Sequence, residues 1–229
     1  MEQVYQTLVS RALRICQSHQ KEDTYTSKRA IIALSGPPGL GKSTIAATVV
    51  QRLNSLCTKP FAITIPMDGF HYPKKYLDAL PNHEEYARRG SHWTFDAKGV
   101  LHLIKALHHS KTTLREIIHA PQFDQSVADP VEGVICVSPE ISLIILEGNH
   151  MAYNVEPWSE VDKYVDDVWS VDVDPETARL RIARRRIESG IERAWEDAIR
   201  RVENNDLPNA FDIRTPLVRS GLVVQSVNE

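Results

Sequence analysis

The stretch IIALSGPPGLGKST, Ile31 to Thr44, constrains the fold more than any other part of the chain. A short apolar run without alternation suits a parallel strand buried on both faces. The run stops at Gly36, and apolar residues resume at helical spacing with Ile45, Val49, Val50 and Leu53 in the segment Ser43 to Leu56. Between strand and helix lie Gly36, Pro37, Pro38, Gly39, Leu40, Gly41, Lys42, Ser43 and Thr44, which satisfy G-x-x-x-x-G-K-[ST]. Glycines there let backbone N–H groups curl around phosphate oxygens, and Lys42 reaches the terminal phosphates. The Ser43 hydroxyl is the expected Mg²⁺ ligand at a helix N-terminus that faces the anion. These residues therefore predict a nucleoside triphosphate site. ATP is favoured over GTP because the sequence contains no NKxD-like segment.

The rest of the chain supplies further strands and helices in alternation. Tyr5, Leu8, Ala12 and Ile15 predict an amphipathic helix over residues 3–19, followed by a polar linker to Arg29. FAITIP and SLIILEGNH read as strands, as does YVDDVWSVDVD, ending at Asp174. Asp96 is the expected cap of a helix over Ala97 to His109, and Asp174-Pro175-Glu176 is a strong helix start. A further helix has Trp195, Ala198, Ile199 and Val202 on its buried face, and GLVVQSV is a last strand. REIIHAP and GVICVS are strand-like pieces around a polar loop, FDQSVADPVE. The expected architecture is α/β: a doubly wound parallel sheet with helices on both faces and ligands beyond the carboxyl ends of the strands. Residues 1–29 form a helix and linker packed on a single domain, 30–229, with a helical lid at about 175–205.

Three strand ends carry chemistry. Asp68, in PMDGFHYPKKYL, follows the second strand; its carboxylate can orient or deprotonate an acceptor hydroxyl, or it makes an Asx turn before Gly69. Glu147 ends SLIILE, where an acid usually holds magnesium or its waters, so Ser43, Glu147 and Asp68 form the candidate metal set. ARLRIARRRIESG packs five arginines into Arg179 to Arg186, a density suited to a lid that neutralises a transferring phosphoryl group and excludes water. A basic surface helix paired with Glu176 and Glu188 is the competing reading.

Composition limits the alternatives. With 229 residues, 42% hydrophobic, the chain can bury a proper core. A net charge of −3 provides no global field to gather nucleic acid or an anionic membrane. Cys16, Cys57 and Cys136 lie far apart without metal-ligand spacing, which suits free thiols in a reducing compartment. No apolar run is long enough to span a bilayer. The expectation is a cytoplasmic protein, small enough to enter a nucleus, with no nucleic acid or membrane partner; a mitochondrial leader and a homodimer stay open.

In order, SGPPGLGKST, MDGFHYP, RRGSHWTFD, PQFD…DP, LEGNH and VDVDPETARLRIARRR resemble the P-loop small-molecule kinases of the phosphoribulokinase, uridine kinase and pantothenate kinase group, and most of all its uridine kinase-like branch. The resemblance implies a P-loop NTPase fold, ATP and Mg²⁺, and a small-molecule hydroxyl acceptor such as a pyrimidine nucleoside. It assigns the general base to Asp68 and magnesium binding to Ser43 and Glu147. It suggests Arg181 and Arg184 as the catalytic lid arginines beside Lys42, although RLRIARRR admits more than one register. Asn209, in NNDLPNAFDI, is the matching contact to adenine, and a capped helix end is the alternative for that segment. His71, Tyr72, Arg89 and Asp124 are candidates for the acceptor pocket. HAPQFDQSVADP departs from the substrate strand of true uridine kinases, so the acceptor is left open. A partner-regulated ATPase and a nucleotide-binding module without catalysis remain as further readings.

Overall fold

Strand β1 (Ala30–Ser35) is buried at all six positions, as its unbroken apolar sequence requires. In the computed structural model, which describes residues 1–22, 29–80, 88–110, 116–208 and 221–226, β1 is the centre of a five-stranded sheet. It is flanked by β5 (Leu143–Gly148) and β6 (Asp167–Asp172), with β2 (Ala62–Pro66) and β7 (Leu222–Gln225) outside them. The order is β2-β5-β1-β6-β7 and every pairing is parallel. The register sets Leu34 beside Glu147 and Ser35 beside Gly148, so the phosphate loop and the acid leave the sheet at the same level.

Alternate residues of the strands feed two cores. Ile31, Ala33, Ile65, Ile144 and Leu146 pack with helix α4 (Ala97–His109), which follows the short helix α3 (Lys74–Asp78), and with Met151 and Trp158. Ile32, Leu34, Ile145 and Trp169 face the other way, against helices α1 (Glu2–Glu22) and α2 (Lys42–Ser55). The period-two pattern of a strand thus becomes two helix-covered faces. The N-terminal helix is fixed to the sheet by more than apolar contact. Arg11 donates to both carboxylate oxygens of Asp167, at 2.5 and 3.0 Å, and Trp169 Nε1 donates to the same carboxylate.

The predicted caps form. Asp96 accepts from Gly99 N, and Asp174 accepts from Thr177 N with Pro175 in the first turn of helix α5 (Pro175–Glu188). β6 ends at Asp172, two residues before the expected Asp174, because the cap takes Asp174 out of the strand. Helix α5 packs on α6 (Trp195–Arg201) through Ile182, Ala183, Ala198 and Val202. Trp195, expected on the buried face, is 43% exposed because it starts the helix ahead of that contact.

Two strands lie apart from the main sheet. β3 (Ile118–Asp124) and β4 (Asp129–Val137) form an antiparallel hairpin. The polar run FDQSVADPVE is not all loop: Asp124 pairs with Asp129, and Asp124 Oδ1 accepts from Ser126 N and Oγ, which closes a shorter turn. The hairpin packs on the turn that holds Asp68, where a Cβ on Gly69 would meet the Pro121 carbonyl at 2.3 Å. Among the described residues no helix is long and apolar enough to cross a membrane.

Candidate active site

The loop between β1 and α2, the end of β5 and the turn after β2 meet in one cleft of about 380 Å³. Gly36, Gly39 and Gly41 all have positive φ, so the loop curls as the phosphate-binding pattern demands. Gly39 shows why no side chain fits: its φ is 77°, and a Cβ would lie 2.4 Å from Ile182 Cγ1. Helix α5 therefore rests directly on the loop.

Lys42 starts α2 and is buried. Its Nζ donates to Pro37 O and to Asn149 Oδ1, both at 2.8 Å. Burial pushes its pKa down to about 8, against the opposing pull of the Glu147 and Asp68 carboxylates. Ser43 Oγ donates to Glu147 Oε1 at 2.8 Å. Burial raises the Glu147 pKa, and Lys42 and the Ser43 hydrogen bond partly oppose it. A buried cation and a buried carboxylate, each penalised in its charged form, sit side by side. An anion near the first and a cation near the second would relieve both penalties, so the residues fit phosphate and Mg²⁺.

Asp68 sits in a 3₁₀ turn, Met67–Phe70, and lines the same cleft as Ser43 and Glu147. The turn comes close to β5 because Gly148 has no side chain; a Cβ there would be 2.4 Å from Met67 Cβ. The three strand-end residues picked from the sequence are thus brought together. Arg181 also lines the cleft, donating to Ser226 Oγ at 2.9 Å.

Arg184 does not. It is not among the residues that line the cleft, and Arg185 takes the place beside Arg181. The reason is helical phase: at about 100° per residue Arg185 lies about 60° round the helix from Ile182, whereas Arg184 lies about 160° round, on the opposite side. The contact of Ile182 with Gly39 fixes which face that is. Asn209 lies outside the described residues.

The four acceptor-pocket candidates lie outside the main cleft lining. His71 is next to Asp68: its Nδ1–H donates to Asp68 O at 2.8 Å, and its ring lies between Phe95 and Phe123 at 3.9 and 5.1 Å. Arg89 acts as a clamp. It donates to Tyr72 O, to Ala128 O and to Asp129 Oδ1, tying the Tyr72 segment and its own loop to the hairpin turn. Asp124 caps that turn and borders a separate shallow depression with Phe123 and Val131.

Three cleft residues were not picked as site residues from the sequence: Gly148, Asn149 and Arg185. Asn149 follows Glu147 by two residues, and its position directly after a strand end was the available signal. His150 was also missed. It is buried, its Nε2–H donates to Gly90 O at 3.1 Å, and burial drives its pKa to about 3, so the ring is neutral.

Comparisons with known proteins agree with this geometry. The family described as "Phosphoribulokinase / Uridine kinase family" matches residues 31–205. A Schizosaccharomyces pombe protein named "Putative uridine kinase C227.14" is 36% identical over 224 residues, covering 97% of this chain and 91% of the relative. A crystal structure from Silicibacter sp. TM1040, named "putative fructose transport system kinase", has a TM-score of 0.78 at 28% identity, over 94% of this chain and 98% of that one. YFH7 from Saccharomyces cerevisiae has a TM-score of 0.83 over 98% of this chain and 99% of that one; at 21% identity the likeness is one of fold.

Proposed function

Because the chain belongs to the phosphoribulokinase/uridine kinase family, we propose that it is an ATP-dependent kinase that moves the γ-phosphoryl group to a hydroxyl of a small metabolite. The observation that carries this reading is the Ser43–Glu147 pair at 2.8 Å, sharing one cleft with Lys42 and Asp68. Each residue then has one task. The curled loop and Lys42 bind the phosphates, and Asp68 accepts the proton of the attacking hydroxyl. Ser43 and Glu147, with Asp68 in reach of the same space, are the residues that would hold Mg²⁺. When bound, the metal supplies neutralisation of charge on the phosphate oxygens. Arg181 and Arg185 approach from the lid side and stabilise the charge that spreads over the transferring group. In this reading residues 30–229 act as one catalytic domain and the helices near 175–205 serve as its lid.

The acceptor class is set by the wall beyond Asp68, built from His71, Phe95, Phe123 and the clamped hairpin. A pyrimidine nucleoside such as uridine is the first acceptor to test and a sugar the second, following the names of the two relatives above. Replacing Asp68 with Asn should leave ATP binding intact and lower phosphoryl transfer by about 10²- to 10⁴-fold. Equal transfer by the wild type and Asp68→Asn would remove the base assignment. A partner-regulated ATPase would instead hydrolyse ATP at a rate that no small acceptor changes. The exposed Val127, Val131 and Val134 of the hairpin are where such a partner would bind.

A further inference from the structure

Asn149 lines the cleft directly after the end of β5. Its backbone carbonyl accepts from Ser35 Oγ at 3.2 Å, and the same hydroxyl accepts from Ala152 N at 3.0 Å. The turn after β5 is thereby pinned to the last residue of β1. The side chain reaches across to α2, where Asn149 Oδ1 takes the Lys42 ammonium at 2.8 Å. An ammonium offers three hydrogens. Pro37 O takes one and Asn149 Oδ1 another, so one is left for an anion in the cleft that Lys42 and Asn149 line.

The choice of a carboxamide matters. A neutral acceptor orients the ammonium without cancelling its charge, whereas a carboxylate would form an ion pair and spend that charge on the protein. The other charged groups around Lys42 are Glu147 on β5, Asp68 on the turn after β2 and Arg185 on α5. Two acids are already near the phosphate path, and a third at position 149 would repel the ligand.

We propose that Asn149 is a positioning residue for Lys42: it aims the ammonium at the nucleotide phosphates and supplies that aim without adding charge. The proposal rests on the nucleotide-binding reading given above. Neither the family description nor the loop motif assigns this residue a role.

The test compares wild type, Asn149→Ala and the isosteric Asn149→Asp, each as the full chain. Calorimetry measures binding of a Mg²⁺-loaded non-hydrolysable ATP analogue, of ADP and of adenosine. Thermal melts check the fold. Asn149→Asp should weaken the triphosphate by about 10-fold or more and ADP by less, with adenosine within about 2-fold of wild type. Asn149→Ala should lower kcat by about 10- to 100-fold with a smaller change in the KM for ATP, because an unaimed lysine still attracts phosphate. A merely structural role would instead lower all three affinities together. That outcome in a folded Asn149→Asp protein, or unchanged affinity for all three ligands, would overturn the proposal. If Asn149→Ala does not fold, Asn149→Asp decides alone. A wild type that binds adenosine but gains nothing from added phosphates would overturn the proposal while leaving a nucleoside site standing. A wild type that binds no nucleotide would overturn the reading beneath it as well.

Discussion

Replacing Lys42 with Met should make the nucleotide-free protein more stable while removing its response to nucleotide. Lys42 is 7% exposed, and its pKa falls from 10.5 to about 8 on folding, chiefly through burial. That difference corresponds to about 3 kcal/mol of cost to the fold at neutral pH. Methionine has a similar length and carries no such cost. The variant leaves Pro37 O and Asn149 Oδ1 without their donor, at about 1 kcal/mol each, which cleft water partly restores. The net gain is about 1 to 2 kcal/mol, or a rise in Tm of about 2 to 8 °C for a chain of this size. The pH dependence has a definite sign. A cation whose folded pKa is depressed penalises the fold fully below about pH 8, and the penalty fades as pH rises towards 10.5. The advantage of Lys42→Met should therefore be largest near neutrality and shrink above pH 8. Thermal or urea denaturation in EDTA at several pH values measures it. Melts with Mg-ATP in place of EDTA should show wild type stabilised by about 2.7 kcal/mol at a hundredfold excess over Kd, and the variant by much less. A Lys42→Met protein less stable than wild type at neutral pH, or one whose advantage grows with pH, would refute the argument that burial strains this lysine.

Three further substitutions test the rest of the site. Gly39→Ala places a Cβ at 2.4 Å from Ile182 Cγ1 on a residue with φ of 77°, so it should cost about 1 to 3 kcal/mol in a denaturation curve and displace helix α5 enough to lower kcat at least about 10-fold. Arg185→Ala should reduce kcat by about 10²-fold or more, whereas Arg184→Ala, on the side of the same helix turned away from the cleft, should stay within about 2-fold of wild type; steady-state kinetics separate the two. Glu147→Gln removes the buried carboxylate that pairs with Ser43, so the Mg²⁺ concentration for half-maximal activity should rise at least about 10-fold, read from a titration at saturating ATP.

The sheet was legible because its signals are local. The unbroken AIIALS run, the helical spacing after Ser43 and the Asp96 and Asp174 caps each follow from a few adjacent residues, and the structure forms each within a residue or two of its expected bounds. The convergence of Ser43, Asp68 and Glu147 was also legible, since strand ends in a doubly wound sheet must meet. What escaped depends on how one element is rotated against another. The choice between Arg184 and Arg185 follows from the phase at which α5 sits on Gly39, and no pattern within RLRIARRR states that phase. Arg89 was picked as a pocket residue, but besides Tyr72 O its hydrogen bonds go to a hairpin turn some forty residues away in sequence, a pairing visible only once the chain is folded. Asn149 sits in the segment LEGNH but was given no role there, and its meaning comes from the lysine that folding brings to it.

The most direct test of the central claim is ADP formation from Mg-ATP by the purified chain, with uridine, cytidine, pantothenate, glycerate and a set of sugars supplied in turn, and Asp68→Asn assayed in parallel. The account predicts that one acceptor class raises turnover well above the slow background, that the acceptor gains a phosphoryl group, and that Asp68→Asn loses this gain while still binding ATP. Hydrolysis that is indifferent to every acceptor and unchanged in Asp68→Asn would contradict it.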